Sequence, residues 1–230
     1  MNQGAIQAVH KTAVKPSKGE ETRALILKAA LQHASVAGFE GLTIGILAAE
    51  TGLSKSGLFA HFGSKEELQI ATLDEGVRRF SETAMMPALS VPRGLKRLQA
   101  MCDNWLTWTA RSQLKGCPMM TATQEFDHKP GPVRDAVVEH MRRLHQSLVK
   151  SVQMAIDSGE FDTATDADQV AFELFGVISS CYRSRNLFHD TDAEQRARRA
   201  FERLIQSCLP RVPDTAAKGD KNTKAASRKR

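Results

Sequence analysis

Residues 42–65 constrain the fold more than any other stretch, because they encode two short helices with a tight turn between them. Thr43 is placed to cap the first helix, since its hydroxyl can accept an N–H that the opening turn leaves unpaired. Gly52 ends that helix, because glycine adopts the left-handed conformation of a helix end without steric cost. Ser54 is placed to cap the second helix. The stretch therefore predicts a helix-turn-helix.

The second helix of this pair has an inward and an outward side. Leu58 and Phe62 lie four residues apart and are predicted to face the core. Gly57 costs about 1 kcal/mol relative to alanine inside a helix, and close approach to another surface is one reason to tolerate that cost. In a helix-turn-helix, this second helix enters a DNA major groove. The residues predicted to face mostly outward are Lys55, Ser56, Gly57, Phe59, Ala60 and His61.

The remainder of the 230 residues is predicted to be helical as well, giving an all-α protein of about nine helices. Good helix formers are plentiful, and no segment shows the alternation of a strand. Ser64 and Glu67 form a predicted capping box that opens a long helix at Lys65, which ends near Met86–Pro87. The other predicted helices cover residues 20–37, 92–112, 118–126, 133–158, 166–188 and 193–209.

The cysteines and the apolar runs indicate the compartment. Four scattered cysteines without a Cys-x-x-Cys spacing suit a reduced compartment, and they argue against a disulfide framework or a structural zinc site. No apolar run approaches the roughly 18 residues of a membrane span, and the N-terminus lacks the apolar core of a signal peptide. We therefore expect a cytoplasmic protein.

The net charge of +6 is concentrated at the two ends of the chain. Residues 1–19 hold three lysines and no acid, and residues 211–230 hold seven basic and two acidic residues, which leaves residues 20–210 with a balance of −2. Both ends are poor in large apolar residues and are predicted to be disordered. Such tails either add salt-sensitive attraction to phosphate or serve only as solubilising ends, and the sequence leaves both interpretations open.

Residues 22–73 resemble the tetracycline-repressor family of bacterial transcription regulators. The resemblance is carried by Gly38-Phe39 with Leu42-Thr43, by Leu47-Ala48 with Gly52-Leu53-Ser54-Lys55, and by the run from Leu58 to Leu68. It implies a homodimer in which a three-helix DNA-binding unit precedes a helical ligand-binding core. The implied segments are a basic flexible arm at 1–19, a DNA-binding domain at 20–64, a ligand-binding and dimerisation domain at 65–210, and a basic disordered tail at 211–230.

The resemblance also implies which residues contact double-stranded DNA. Lys55 and Lys65 suit phosphates as point charges, and Ala60 can contact a thymine methyl group. Phe59 stands where the family usually has tyrosine, so this chain has no hydroxyl there to bind a phosphate. Gly45 stands where arginine or another polar residue is common. The implied DNA contacts are Thr43, Gly45, Lys55, Ser56, Gly57, Phe59, Ala60, His61 and Lys65.

The charge of the predicted DNA-binding unit is unfavourable for this function. Residues 20–75 carry four basic and eight acidic residues, whereas DNA-binding units are usually basic. From the sequence alone, we expect the lysines that precede the first helix to supply the attraction to DNA phosphates that this unit lacks.

Two further sets of residues are predicted in the C-terminal part of the chain. Aromatic and methionine side chains are the residue types that line adaptable cavities, although ordinary helix packing uses them too. The candidate pocket for a small apolar or amphipathic ligand consists of Met101, Trp105, Trp108, Met119, Phe126, Phe172 and Phe175. In the family, the last two helices of each subunit form the dimer interface, for which the candidates are Leu174, Ile178, Cys181, Tyr182, Phe201, Leu204 and Ile205.

No motif of an enzyme or of a cofactor site stands in the sequence. There is no Gly-rich phosphate loop and no Gly-x-Ser-x-Gly, so we expect neither catalysis nor a cofactor. His140 and His145 lie five residues apart, whereas metal ligands on a helix lie three or four apart, so no metal site is predicted. A redox switch at Cys102 and Cys117 would require a lowered thiol pKa and access to solvent.

The sequence therefore favours a ligand-released repressor that binds a palindromic operator as a homodimer. The alternative is a weak, mainly non-specific DNA-binding protein or a partner-controlled interaction protein, in which the basic tails provide the attraction. The two differ in whether one DNA sequence is strongly preferred.

Deleting residues 1–19 is expected to weaken operator binding and to flatten its dependence on salt, because three lysines close to phosphate would be removed. A salt titration of DNA affinity, comparing the full chain with the truncated chain, measures both effects. Equal affinities throughout the titration would rule out a role for the arm.

Overall fold

The computed structural model describes residues 17–111, 114 and 116–210, so most of the predicted basic arm and the whole basic tail lie outside the described residues. Within that part of the chain the protein is all-α, with nine α-helices and no strand, which confirms the predicted fold class. The helices are α1 Lys18–Ala37, α2 Ile44–Thr51, α3 Lys55–Phe59, α4 Lys65–Phe80, α5 Leu95–Arg111, α6 Pro118–Phe126, α7 Pro132–Asp157, α8 Ala167–Phe188 and α9 Ala193–Cys208.

The chain divides into two compact units. One unit comprises the described residues up to Pro87 together with Asn104–Leu144, and the other comprises Ala88–Asp103 together with the described residues from His145 onward. The first unit contains α1 to α4 and α6, and the second contains α8 and α9. No helix among the described residues has an apolar stretch that would span a bilayer.

The core beneath the helix-turn-helix consists of large apolar side chains that are almost completely buried. Phe39, Leu42, Leu47, Leu58 and Phe62 are each at most 2% exposed, as the sequence predicts for Leu58 and Phe62. Burying a side chain of this size stabilises the fold by about 1.5–3 kcal/mol relative to leaving it exposed. These residues therefore fix how α2 and α3 pack on α1.

Hydroxyl caps and one left-handed glycine define the ends of α2 and α3. The Thr43 Oγ1 atom accepts the Ile46 N–H at 3.2 Å, and the Ser54 Oγ atom accepts the Gly57 N–H at 3.1 Å. Gly52 follows α2 with φ 70°, a conformation that side-chain-bearing residues rarely adopt. The predicted cap and end of α2 and the predicted cap of α3 are confirmed, but α3 ends at Phe59, so that Ala60 and His61 lie in the turn after it.

The capping box lies at a different helix from the one predicted. Ser64 accepts the Glu67 N–H, but the Glu67 carboxylate accepts the N–H of Gly63 instead of the N–H of Ser64. The full reciprocal box forms between Ser17 and Glu20 at the start of α1. Because α1 begins at Lys18 and is capped by Ser17, a truncation that tests the basic arm should end at residue 16.

The corner between α1 and α2 is held by side chains from α4 and α6. The Phe39 N–H donates to the Glu125 carboxylate at 2.7 Å, and the Phe39 carbonyl oxygen accepts from the Gln69 amide at 2.8 Å. Gly38 has φ 80°, and a Cβ atom there would lie 1.7 Å from a Glu125 carboxylate oxygen. The Phe39 and Phe126 rings meet edge-on, with their centroids 6.4 Å apart. Gly38 is therefore required both by the backbone conformation and by the carboxylate beside it.

The long helix that starts at Lys65 ends earlier than predicted. Regular α-helix stops at Phe80, and a π-helical turn at Ser81–Met85 and a 3-10 turn at Met86–Ser90 follow. Proline has no N–H to donate to the preceding turn, so the α-helical ladder cannot continue through Pro87.

The helix predicted to start near Pro92 begins only at Leu95. Gly94 precedes it with φ 91°, which is not a helical conformation. The Glu160 carboxylate accepts the Leu95 N–H at 2.9 Å and so caps this end of α5. Sequence spacing did not reveal this cap, because its acceptor lies 65 residues away in the chain.

Replacing Glu125 with alanine is expected to lower the free energy of unfolding by about 2 kcal/mol, because the Phe39 N–H then has no charged acceptor. Glu125→Gln keeps an acceptor for the Phe39 N–H and should cost about half as much or less. Urea denaturation measures both values, with the exposed Glu202→Ala as control. An alanine variant as stable as that control would contradict the assigned role of Glu125.

Candidate DNA-binding site

The predicted DNA contacts lie on the outer side of the helix-turn-helix. Leu58 and Phe62 are buried, as predicted, and Gly57 and His61 are half-buried. The other predicted contacts are exposed, namely Thr43, Gly45, Lys55, Ser56, Phe59, Ala60 and Lys65. The helix-turn-helix thus presents one outward face made of side chains from α3 and from the starts of α2 and α4.

Lys55 lies beside the position at which the family usually carries a larger polar residue. A Cβ atom built on Gly45 would be 3.9 Å from the Cε atom of Lys55, so the lysine stem lies along the bare backbone of α2. Lys55 itself is exposed. The absence of a side chain at Gly45 therefore leaves room for the Lys55 amine next to the start of α2.

The Lys65 side chain already contacts Glu40, in the corner that precedes α2. The Lys65 amine donates to the Glu40 carbonyl oxygen at 3.0 Å and lies 3.8 Å from the Glu40 carboxylate. Lys129 lies 3.6 Å from the same carboxylate. Exposed ion pairs contribute little energy, so Lys65 can still approach a phosphate, but Glu40 competes for its charge.

The Ser56 hydroxyl and the backbone of Gly57 both belong to the cap of α3. The Ser56 Oγ atom lies 3.1 Å from the Ser54 Oγ atom, which accepts the Gly57 N–H. A Cβ atom at Gly57 would lie 3.2 Å from the same Ser54 oxygen, which is tighter than an ordinary contact. The close contact with Ser54 in this cap is therefore one reason for a glycine at position 57.

Arg23 contacts the turn after α3, a role that the sequence did not predict. Its guanidinium donates to the His61 carbonyl oxygen at 3.2 Å and lies 4.4 Å from the centroid of the Phe62 ring. A cation over an aromatic face contributes about 0.5–1 kcal/mol at exposed sites. Arg23 thus fixes the end of the α3 turn, a role that needs a contact 38 residues away in the chain.

The negative balance of residues 20–75 does not describe the outward face. Glu50 pairs with His33, Asp74 pairs with His140, and Glu75 pairs with Arg78 and Arg79. The side chains of Arg78 and Arg79 also lower the pKa of Glu75. Of these partners, His140, Arg78 and Arg79 lie outside residues 20–75. Residues 51–65, which carry most of the predicted DNA contacts, contain two lysines and no acid.

Four of the predicted pocket residues belong to the unit that contains the helix-turn-helix, and all four are buried. The Phe80 ring meets Trp105 and Trp108 edge-on, at centroid distances of 5.3 and 5.9 Å. The Trp108 side chain also forms a hydrogen bond with Cys117. Met119 is 8% and Phe126 5% exposed. These contacts are those of a packed aromatic core.

The three remaining pocket residues belong to the other unit and have different surroundings. Met101 is buried, and its sulfur accepts from the Ser151 hydroxyl at 3.3 Å. Phe175 is half-buried. Phe172 is 71% exposed, so its assignment to a pocket wall is corrected, and it belongs to the outer surface of α8. Helical spacing alone did not distinguish the two sides of α8.

The predicted dimer residues require a similar correction. Six of the seven are buried within their own protomer, and Tyr182 is half-buried. They fill the space between α8 and α9 and are therefore not the free face of this helix pair. The six are Leu174, Ile178, Cys181, Phe201, Leu204 and Ile205.

The open groove in the first unit contains none of the predicted pocket residues. It has a volume of about 520 Å³ and lies along α1 and the end of α2. His33 and Glu50, whose side chains are 3.2 Å apart, form part of its wall.

The cysteines are placed unfavourably for thiolate chemistry. All four are buried, and burial raises the pKa of Cys102 to about 12. Burial likewise raises the pKa of Cys117, Cys181 and Cys208. A redox-sensing cysteine needs the opposite combination of exposure and a lowered pKa.

The two histidines considered as metal ligands have separate partners. His140 lies 2.6 Å from Asp74, and His145 lies 3.0 Å from Asp168. No group of three or more metal-binding side chains occurs in the described part of the chain.

A short exposed helix, set on a buried core by a capped turn and free of acidic side chains, defines a DNA-binding protein of the helix-turn-helix class. A family model described as "Bacterial regulatory proteins, tetR family" matches residues 26–72. A second, described as "Tetracyclin repressor-like, C-terminal domain", matches residues 94–201. The chain belongs to the tetracycline-repressor family of transcription regulators.

Individual relatives agree with this membership. The transcriptional repressor AcnR from Corynebacterium efficiens is 37% identical over 79 residues, and the match covers 34% of this chain and 42% of AcnR. The chain therefore matches less than half the length of that relative. A TetR-family regulator from Cytophaga hutchinsonii has the same fold, with a TM-score of 0.75 at 19% identity over 86% of this chain and all of that chain.

A third relative has been solved with its ligands. The structure of AibR in complex with isovaleryl coenzyme A and operator DNA has a TM-score of 0.63 and 18% identity, and the match covers 83% of this chain and 99% of AibR.

Replacing Lys55 with glutamine is expected to weaken binding about equally on all DNA sequences, because a phosphate contact carries no sequence information. The slope of log affinity against log salt should become shallower by about 0.9 for each phosphate that the variant no longer neutralises. Lys28→Gln removes an exposed lysine of α1 and is the matched control. Identical slopes for the two variants would show that Lys55 does not contact DNA.

Proposed function

We propose that the protein is a repressor that binds a palindromic operator as a homodimer and is released by a small apolar or amphipathic molecule. The observation that carries the proposal is the exposed face of α3, which includes Lys55 and has no acid between residues 51 and 65. AcnR is named a repressor, and AibR was solved with both an acyl coenzyme A and operator DNA. Both relatives favour this function over catalysis.

Dimerisation is favoured by the outer side of α8. Phe172 is 71% exposed, and Leu187 and Phe188 are each 65% exposed, while the exposed Gly176 lies between them along the helix. Large apolar side chains exposed on one helix are typical of an interaction site. A second copy of the chain related by a two-fold axis would cover this surface on both protomers. Such a dimer would read two half-sites about 34 Å apart, or a multiple of that distance.

Ligand control requires that the ligand bind two arrangements of the protein with different affinities. We assign DNA binding to residues 20–64 and ligand binding with dimerisation to residues 65–210, joined by α4. The hydrogen bonds of Phe39 to Glu125 and Gln69 support this route, because they connect the α1–α2 corner to α6 and α4. A ligand that changes the position of either helix would therefore disturb the corner from which α2 starts.

For the ligand site, the aromatic group around Trp105 and Trp108 is the strongest candidate. Aromatic and thioether side chains suit an apolar or amphipathic molecule better than a highly charged one. The close edge-on contacts with Phe80 mean that a ligand would have to displace packed side chains.

The proposed function is tested by selecting duplexes from a random pool with the full-length protein and comparing their affinity with that of unselected DNA. At physiological salt, the selected duplex should bind at least about 10³-fold more tightly, and the complex should contain two chains per duplex. Selection should also recover a sequence with two-fold symmetry.

A ratio near one on every duplex would favour the alternative of a non-specific DNA-binding or partner-controlled protein. In that case affinity would depend on salt but hardly on sequence. One chain per duplex with retained specificity would contradict the homodimer while leaving specific recognition in place.

A further inference from the structure

The α3 face has very few groups that could read base edges through hydrogen bonds. Of its exposed side chains, Lys55 extends beside Gly45 at the start of α2, and the Ser56 hydroxyl lies 3.1 Å from that of Ser54. Phe59 and Ala60, the other exposed residues of this turn, are apolar. Ser56, Phe59 and Ala60 are spaced three and four residues apart, so they share one side of the helix.

Phe59 is the largest side chain on this face and is 53% exposed. Its neighbours Leu58 and Phe62 are buried, so its exposure is not due to a loosely packed helix. A phenyl ring offers no hydrogen bond to a phosphate or to a polar base edge. If α3 enters the major groove, any contact that Phe59 makes with DNA is therefore apolar.

The major groove offers one apolar group that varies with sequence, the 5-methyl group of thymine. We propose that Phe59, with Ala60 beside it, selects operator positions by packing against thymine 5-methyl groups. The inference rests on the proposed function, since it requires α3 to lie in the major groove of a specific site. It makes Phe59 a residue that determines which sequence is bound.

The test uses the duplex selected from a random pool by the full-length protein, with each thymine replaced in turn by deoxyuridine. This replacement removes the methyl group and leaves every base-pairing and groove hydrogen-bonding group in place. At one thymine position per half-site, affinity should fall about fourfold per methyl group, or about 0.8 kcal/mol, and about fifteenfold when both half-sites are changed.

The same series with Phe59→Ala separates methyl recognition from general apolar contact. In this variant the thymine and deoxyuridine duplexes should bind equally at the sensitive position, while Phe59→Leu should restore part of the difference. Leu25→Ala is the matched control, because Leu25 is an exposed apolar residue of α1, 49% exposed and outside the α3 face. That control should keep the full reduction in affinity on deoxyuridine.

Three outcomes would overturn the inference. Specific binding with equal affinity for the thymine and deoxyuridine duplexes would leave the proposed function intact and remove methyl recognition. A reduction that persists in Phe59→Ala would assign methyl recognition to another residue. Failure to select any preferred duplex would contradict the proposed function itself, and this inference with it.

Discussion

The backbone N–H and the carbonyl oxygen of Phe39 both form hydrogen bonds with side chains from other helices, and the position of the helix-turn-helix depends on these bonds. Glu125 of α6 accepts the Phe39 N–H, and Gln69 of α4 donates to the Phe39 carbonyl oxygen. A buried N–H without a partner costs about 1–3 kcal/mol, whereas the Phe39 carbonyl oxygen also accepts the Leu42 N–H at 3.1 Å. The corner between α1 and α2 is therefore not a free loop, and it connects the DNA-binding helices to the helices that follow them.

The surface predicted to contact DNA combines few charges with an exposed aromatic ring. Lys55 and Lys65 are its exposed cations, and Glu40 competes for Lys65. Electrostatic attraction to phosphate positions such a protein, whereas contacts to base edges provide sequence preference. If Phe59 and Ala60 face the bases, as we propose, sequence preference depends mostly on shape and on methyl groups. Of the eight acids in residues 20–75, Glu50, Asp74 and Glu75 are paired with side chains away from this surface, whereas Glu40 lies beside Lys65.

The sequence predicted the features that depend on near neighbours. Thr43, Gly52 and Ser54 act at the helix ends as expected, since a cap involves residues only three or four positions apart. The sequence did not reveal the roles of Glu125, Arg23 or Glu160, whose partners lie 38 to 86 residues away. It also chose, as dimer candidates, residues that are buried within their own protomer. An apolar residue at helical spacing suits a protomer core and a protomer interface equally well, so Leu174 and Phe172 could be told apart only by their burial.

The central claim is that the α1–α2 corner is held as firmly as the core of its unit, so that α4 and α6 control the helix-turn-helix. Hydrogen exchange of the Phe39 amide in the full-length protein tests it most directly. The account predicts protection comparable to that of amides in the middle of α1, and loss of this protection in Glu125→Ala while α1 stays protected. Exchange of the Phe39 amide at the rate of an exposed loop in the unmodified protein would contradict the account.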